Sequence, residues 1–296
     1  CERNSAYMHQ QCSFSCGVCE RSSSEALPAT GGQQLHAVLD YFPFVWPAEV
    51  GVRTSVHLAG GETRALRALS SSPRVFEAEA IATSDEVAAI IRLARPQLKL
   101  SVTFEGGKQV SGGARTSATA WLNLPPASAD GDELMLRAVW LRLAALVRMD
   151  PLASENMQAL SYGRGDHYHY HTDTGGSPAI AGRAITALLY LSDGFEGGET
   201  SFPLADSGEV RNNVHRVREE FRNCDPAVGL AVRPTAGNAV LFYNLLPNSH
   251  EKDFSSWHAS CDVLSDTPNK FAANLWFHLG KAASLQARRG LSVDAP

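Results

Sequence analysis

The chain runs to 296 residues, 44% apolar and 19% charged, enough for one large domain or two ordinary ones at about 150 residues each. That balance excludes intrinsic disorder, collagen-like repetition and a coiled-coil rod. With 26 basic and 31 acidic side chains the net charge is −5, which argues against a general affinity for nucleic acid or anionic membrane. No apolar run approaches the roughly 18 residues needed to span a bilayer.

Four of the six cysteines, Cys1, Cys12, Cys16 and Cys19, fall in the first 19 positions. A segment so short and so poor in large apolar side chains cannot build a core. It is expected to be stapled by disulfides, with zinc as the alternative. The start has neither an initiator Met nor an apolar signal core, so a targeting segment is read as removed or never included. The cysteine spacing, with Asn4-Ser5-Ala6-Tyr7-Met8, resembles the C-terminal part of the ShK-toxin-like module. That resemblance implies a Cys1–Cys16 pair, leaves Cys12 and Cys19 without their family partners, and favours an oxidising secretory compartment.

Residues 20–34 are rich in Ser, Gly and Ala and read as a linker. Between 35 and 70 the short apolar runs broken by Pro43 and Pro47 are compatible with edge strands or with an arm on the main domain. A helix is predicted after Thr83, which with Glu86 makes a capping-box pattern, followed by Val87, Ile90, Ile91 and Ala94 at helical spacing up to Pro96. A second helix starts near Asp132, carries Leu136, Val139, Trp140, Leu143 and Leu146 on one face, and ends at Asp150-Pro151. Between the helices, Gly106-Gly107 and Gly112-Gly113 flank a polar stretch with no evident strand behind it and no Lys-Ser/Thr pair. A mobile loop is expected there rather than a phosphate loop.

Beyond 155 short strands are predicted at 157–163, 167–173, 184–192, 198–203, 229–233, 238–245 and 270–279, punctuated by Gly194, Gly197-Gly198 and Pro234 to Gly237. Two helices followed by many short strands suggest an α+β chain whose β part is a sandwich or jelly roll. The mixed-charge run 209–222 reads as a solvated insertion.

The chemistry concentrates in Tyr162-Gly163-Arg164-Gly165-Asp166-His167-Tyr168-His169-Tyr170-His171-Thr172-Asp173. In a strand, residues two apart share a face, so His171 and Asp173 present an imidazole and a carboxylate side by side. These are two thirds of the 2-His-1-carboxylate set that binds Fe(II) and leaves positions open. The third ligand is sought among His250, His258 and His278. A three-histidine zinc site from His167, His169 and His171 competes, although three same-face positions span far for one ion.

Over about 74–280 the chain resembles the catalytic domain of the prolyl 4-hydroxylases. The resemblance rests on Pro73-Arg74-Val75-Phe76, Arg115-Thr116-Ser117, Tyr162-Gly163 and His171-x-Asp173. It continues through Arg183 to Leu191, Glu196-Gly197-Gly198-Glu199-Thr200-Ser201-Phe202-Pro203, Gly229 to Pro234 and Gly237 to Phe242. It ends with Trp257-His258-Ala259-Ser260-Cys261 and Asn269-Lys270-Phe271 through Trp276-Phe277-His278. It implies a double-stranded β-helix (jelly roll) core with supporting helices, preceded by the small disulfide-rich segment. It also implies 4-hydroxylation of proline in proline-rich polypeptides, using Fe(II), 2-oxoglutarate and dioxygen, with ascorbate to keep the iron reduced.

Carried over by position, His171, Asp173 and His258 match the iron ligands, and Lys270 the lysine that pairs with the far carboxylate of 2-oxoglutarate. Tyr162 and Thr200 match hydroxyls on that same carboxylate. Tyr168, Arg183, Trp276 and His278 match positions lining the peptide groove; on their own terms the aromatics read as core and Arg183 as a surface ion pair. The interval from His258 to Lys270 is two residues longer than usual, around Asp266-Thr267-Pro268, and the run 209–222 is inserted. Cys224 and Cys261 read on their own as free thiols. The family's plant-type members imply a Cys224–Cys261 disulfide.

The division expected is a cysteine module at 1–20, a linker and arm at 21–70, a dioxygenase domain at 71–280 and a tail at 281–296. Localisation in the endoplasmic reticulum or Golgi lumen follows from the cysteines; no N-glycosylation sequon supports it. The alternatives are a 2-oxoglutarate dioxygenase of peptidyl lysine or a small molecule, and a catalytically inactive jelly-roll binding protein.

Overall fold

The structure, a computed structural model, describes residues 43–58, 61–105, 108–111, 113–175, 182–207, 224–225 and 227–279. The chain divides into two compact units, Cys1–Asp40 and Tyr41–Pro296, and the described residues all belong to the second. The cysteine module, the Cys1–Cys16 pair, the charged insertion at 209–222 and the tail at 281–296 lie outside the described residues.

In chain order the strands begin with β1 (Arg53–His57), β2 (Thr63–Ser71) and β3 (Arg74–Ala78), followed by helix α1 (Ser84–Ala94). Then come β4 (Lys99–Leu100), β5 (Val102–Glu105), β6 (Lys108–Ser111), β7 (Ala118–Leu122) and helix α2 (Gly131–Val147). The second half holds β8 (Met157–Tyr162), β9 (Tyr168–His171), β10 (Arg183–Tyr190), β11 (Thr200–Phe202) and β12 (Leu230–Val232). It closes with β13 (Ala239–Tyr243), β14 (His258–Ser260) and β15 (Lys270–His278). A nine-stranded sheet runs β1-β2-β3-β13-β10-β15-β8-β7-β4, a four-stranded sheet runs β12-β11-β14-β9, and β5–β6 form a separate hairpin.

The major sheet has a helix face and a site face, and the period of two sorts its side chains between them. Ile185, Ala187 and Leu189 of β10, Leu241 and Tyr243 of β13, and Leu275 and Phe277 of β15 join the core beneath the helices, with Trp140, Leu143 and Ile90. The alternate positions Leu188 and Tyr190, Val240 and Phe242, and Ala272 pack against Phe202 and Val232 of the minor sheet. Two facing sheets with helices on the outer side give the jelly roll expected from the sequence.

The capping box forms: Glu86 N–H donates to Thr83 Oγ1 at 3.3 Å and Thr83 N–H to Glu86 Oε2 at 2.8 Å. The same carboxylate accepts from Arg142 of α2 at 2.5 and 2.8 Å, so one side chain caps α1 and ties the helices together. Helix α2 stops at Val147 because Arg148 turns left-handed, φ 53°; Asp150 caps the short 3-10 turn that follows.

One open question is settled and two local expectations are corrected. The question of arm or edge strands between 35 and 70 resolves, from 53 onward, into β1 and β2 at one edge of the major sheet. The loop expected around Gly106-Gly107 is flanked by the paired strands β5 and β6, with Val102 opposite Ser111 and Glu105 opposite Lys108. Val102, Thr103 and Val110 favour that extended backbone. The strand expected over 167–173 stops at His171, so Asp173 lies beyond it.

Candidate active site

His171 ends β9 and His258 begins β14, and the two stand directly opposite in that antiparallel pair. Asp173 reaches the same point from the bend after β9: its Oδ1 lies 3.5 Å from His171 Nε2 and its Oδ2 3.7 Å from His258 Nε2. One ligand atom from each of the three residues lies within 4.8 Å of the others. The two rings sit on orienting hydrogen bonds. His171 Nδ1 is 2.8 Å from the His169 carbonyl and His258 Nδ1 is 2.9 Å from the Ser256 carbonyl. A carbonyl only accepts, so both Nδ1 atoms carry a proton, and in the neutral rings both Nε2 atoms have a lone pair to offer a metal.

The electrostatics suit a cation. Burial first, and then neighbouring His171, hold His258 down at about 4, so it is neutral at ordinary pH. Burial alone would raise the Asp173 carboxyl, but the positive charge that the His258 and His171 rings carry when protonated outweighs it and holds it well below the usual carboxylate range. Two imidazole lone pairs and an ionised carboxylate, the last 5% exposed, fit a divalent transition metal that tolerates nitrogen and oxygen donors. His167 and His169 stack on each other, ring centroids 4.5 Å apart, and are not part of this group. The three-histidine alternative therefore falls.

Deeper between the sheets, Lys270 stands opposite Tyr162 in the β15–β8 register and is 2% exposed. Its ammonium donates to the Gly198 carbonyl and to Ser260 Oγ, both at 2.7 Å, and lies 5.0 Å from the Tyr162 ring centroid. Three ammonium protons meet two acceptors, which leaves one for a ligand. Burial, with Glu199 opposing, pushes Lys270 down to about 7. Gly198 permits the approach: its φ is +69° and a Cβ there would come within 3.1 Å of Lys270 Cδ. Thr200, opposite Ser260 across β11–β14, accepts a 2.7 Å hydrogen bond from the buried Tyr190 hydroxyl. Its own proton is left to donate to another acceptor.

The four groove candidates divide. Arg183 and His278 converge on Glu155: Arg183 Nε donates at 2.6 Å and Nη2 at 2.8 Å, and His278 Nε2 lies 2.5 Å from Oε1. The Arg183 guanidinium covers the Trp276 ring at 3.7 Å, and Trp121 stands 6.1 Å beyond. Tyr168 stacks on the metal-site ring of His171, centroids 3.6 Å apart, and carries the Arg115 guanidinium at 4.7 Å on its ring. Cys224 and Cys261, the latter immediately after β14, are joined by a disulfide.

Sequence reasoning gave no role to Glu155, Arg115, Thr186, Tyr190 or Ser260. Thr186 carried a signal, being a polar residue inside Ala184-Ile185-Thr186-Ala187-Leu188, and so did Ser260, two residues after His258. Glu155 sits in a loop with no pattern around it.

Residues 157–278 match the 2OG-Fe(II) oxygenase superfamily. Probable prolyl 4-hydroxylase 8 of Arabidopsis thaliana is 32% identical over 233 residues, which cover 74% of this chain and 73% of that protein. The chain belongs to the prolyl 4-hydroxylase family. Prolyl 4-hydroxylase 13 of the same plant is 34% identical over 213 residues, 70% of this chain and 72% of that one. Among solved structures, the viral collagen prolyl hydroxylase of Paramecium Bursaria Chlorella virus-1 aligns over 68% of this chain and 94% of its own, with a TM-score of 0.46 and 19% identity.

Proposed function

We propose that this member of the family hydroxylates C4 of peptidyl proline in proline-rich polypeptides, with Fe(II) held by His171, Asp173 and His258 and 2-oxoglutarate anchored on Lys270. The observation that carries it is a three-residue donor set beside a buried ammonium with one unused proton. Iron and 2-oxoglutarate bound there would supply the oxidising chemistry: of the two atoms of dioxygen one would enter the substrate C–H bond and the other succinate, with release of CO2.

The protein's part is binding, orientation and exclusion of water. Lys270 offers a fixed amine, charged when the cosubstrate binds, to the far carboxylate, and Thr200 and Tyr162 offer hydroxyls. Tyr190 fixes Thr200 by occupying its acceptor side. Tyr168, packed on His171, forms a wall against the metal ligand. Glu155 holds Arg183 over the buried Trp276 ring, and the exposed Trp121 beyond it offers an aromatic face to an extended proline-rich chain, whose carbonyls lack partners of their own.

The same reading extends to the whole chain: cysteine module 1–20 of ShK-toxin-like type, linker and arm 21–70, dioxygenase domain 71–280 and tail 281–296. Strands β1 and β2 extend the domain's major sheet. Localisation in the endoplasmic reticulum or Golgi lumen is part of the proposal, supported by the Cys224–Cys261 disulfide. So is a requirement for ascorbate. Among the described residues no helix is long and apolar enough to cross a membrane.

Succinate release tests the reading. It should rise on adding a proline-rich peptide, vanish in His171→Ala and, at 2-oxoglutarate below saturation, fall sharply in Lys270→Ala. Full turnover in either variant would contradict it.

A further inference from the structure

The donor set at the metal site rests on a buried polar chain that none of the ligands requires for its own fold. Thr186 faces the site from the middle of β10, and its hydroxyl donates to Asp173 Oδ2 at 2.7 Å. Asn244, one residue past the end of β13, donates its Nδ2 to the same Thr186 oxygen at 2.9 Å. Both side chains are fully buried. The direction of each bond is fixed by elimination. An ionised carboxylate only accepts, so Thr186 must spend its single proton on Asp173. Its oxygen can then only accept, so Asn244 must present its amide N–H to it.

That orientation has a visible cost. Asn244 Oδ1 is buried without a hydrogen-bond partner among the described residues. A buried carbonyl oxygen left unpaired carries its desolvation penalty with nothing to offset it. The backbone leaves Asn244 no other place: its N–H donates to the Ala184 carbonyl at 2.8 Å and its carbonyl accepts from Asp253 at 2.9 Å. The segment from 244 to 253, closed by a Leu245–Lys252 bridge, also touches the turn between the ligands, since Lys252 Nζ donates to Thr172 Oγ1 at 3.2 Å.

We propose that Thr186, with its polarity set by Asn244, is a positioning residue that holds Asp173 as a one-oxygen ligand. The hydrogen bond engages Oδ2 and leaves the lone pairs of Oδ1, beside His171 Nε2, for the metal. The number of open positions follows from this. Two imidazole nitrogens and one carboxylate oxygen leave three sites on a six-coordinate ion, enough for a two-oxygen chelate and dioxygen. A carboxylate turned to bind through both oxygens would leave two. The inference rests on the metal site proposed above and adds what controls its coordination.

The test is Co(II) titration of the full chain by calorimetry, with the visible spectrum of the loaded protein as the report on coordination number. Thr186→Val keeps the shape and removes the proton; it should weaken Co(II) binding by about 10- to 100-fold, the usual effect of losing such an outer partner, and change the spectrum. Thr186→Ser should restore both. Asn244→Ala should shift them in the same direction by less, and the double variant should match Thr186→Val alone, because Asn244 acts through Thr186. Wild-type affinity and spectrum in Thr186→Val, or additive effects in the double variant, would overturn the inference and leave the metal site standing. A wild-type protein that fails to bind Co(II) would overturn the site and this inference together.

Discussion

Lys270 and Tyr162 face each other across the β15–β8 ladder, with the ammonium 5.0 Å from the phenol ring and fully enclosed. Burial pushes this lysine down to about 7. At pH 8 the ligand-free protein therefore holds it largely neutral, whereas a bound dianion requires it charged. Binding 2-oxoglutarate above pH 7 must then take up a proton, and affinity should fall by up to about tenfold per pH unit from there, until the lysine also deprotonates in the complex. Calorimetry of the Mn(II) protein at pH 8 in buffers of different ionisation heat should give an uptake approaching one proton. No uptake would show that Lys270 is already charged.

Replacing that lysine tests the anchor separately. Lys270→Ala removes a charge-assisted contact of about 1.5–3 kcal/mol, so the dissociation constant for 2-oxoglutarate should rise by roughly 10- to 150-fold. Co(II) affinity, measured without cosubstrate, should be nearly unchanged, because Lys270 makes no contact with the three ligands. An equal loss of metal affinity would place the lysine's effect on the fold instead.

Much of this arrangement could be read from the sequence where the signals are local. The capping box at Thr83 and Glu86 and the stripe of α2 depend on residues a few positions apart, and both helices formed where predicted. His171-x-Asp173 was legible for the same reason, although the geometry that brings them together is a bend rather than the strand first assumed. The third ligand was not legible from spacing. His250, His258 and His278 are equivalent by spacing alone; the family resemblance points to His258, and its cross-strand pairing with His171 separates it physically from the other two. His278 meets Glu155 instead, a loop carboxylate whose importance lies wholly in tertiary contact. The Thr186–Asn244 chain depends in the same way on β10 lying beside β13.

Glu155 is the hinge of the groove cluster. Burial would raise its carboxyl, but Arg183 and then His278 hold it below its usual range. Glu155→Gln keeps the shape and removes the charge that fixes both partners. The KM for a proline-rich peptide should rise several-fold to tenfold, on the order of 1 kcal/mol, while the dissociation constant for 2-oxoglutarate stays put. A change in 2-oxoglutarate binding of the same size would mean that the cluster serves the cosubstrate end.

The Cys224–Cys261 disulfide spans 37 positions and ends three residues after His258. Closing a loop of that size should contribute about 3–4 kcal/mol on the chain-entropy account. Cys224→Ser with Cys261→Ser should then lower the melting temperature by roughly 6–16 °C, at 2–4 °C per kcal/mol for a domain of this size. The melt of the oxidised and fully reduced wild type should differ by a similar amount. Coincident melts would show that the bond adds nothing to stability.

The central claim is that the His171–Asp173–His258 site serves oxidation of proline. The most direct measurement incubates the Fe(II) protein with 2-oxoglutarate, dioxygen and a peptide carrying both proline and lysine, then maps the product by mass spectrometry and amino-acid analysis. The account predicts one added oxygen per modified proline, recovered as 4-hydroxyproline, with one succinate formed for each. Succinate released while every proline stays unmodified, or oxygen recovered on lysine, would contradict it.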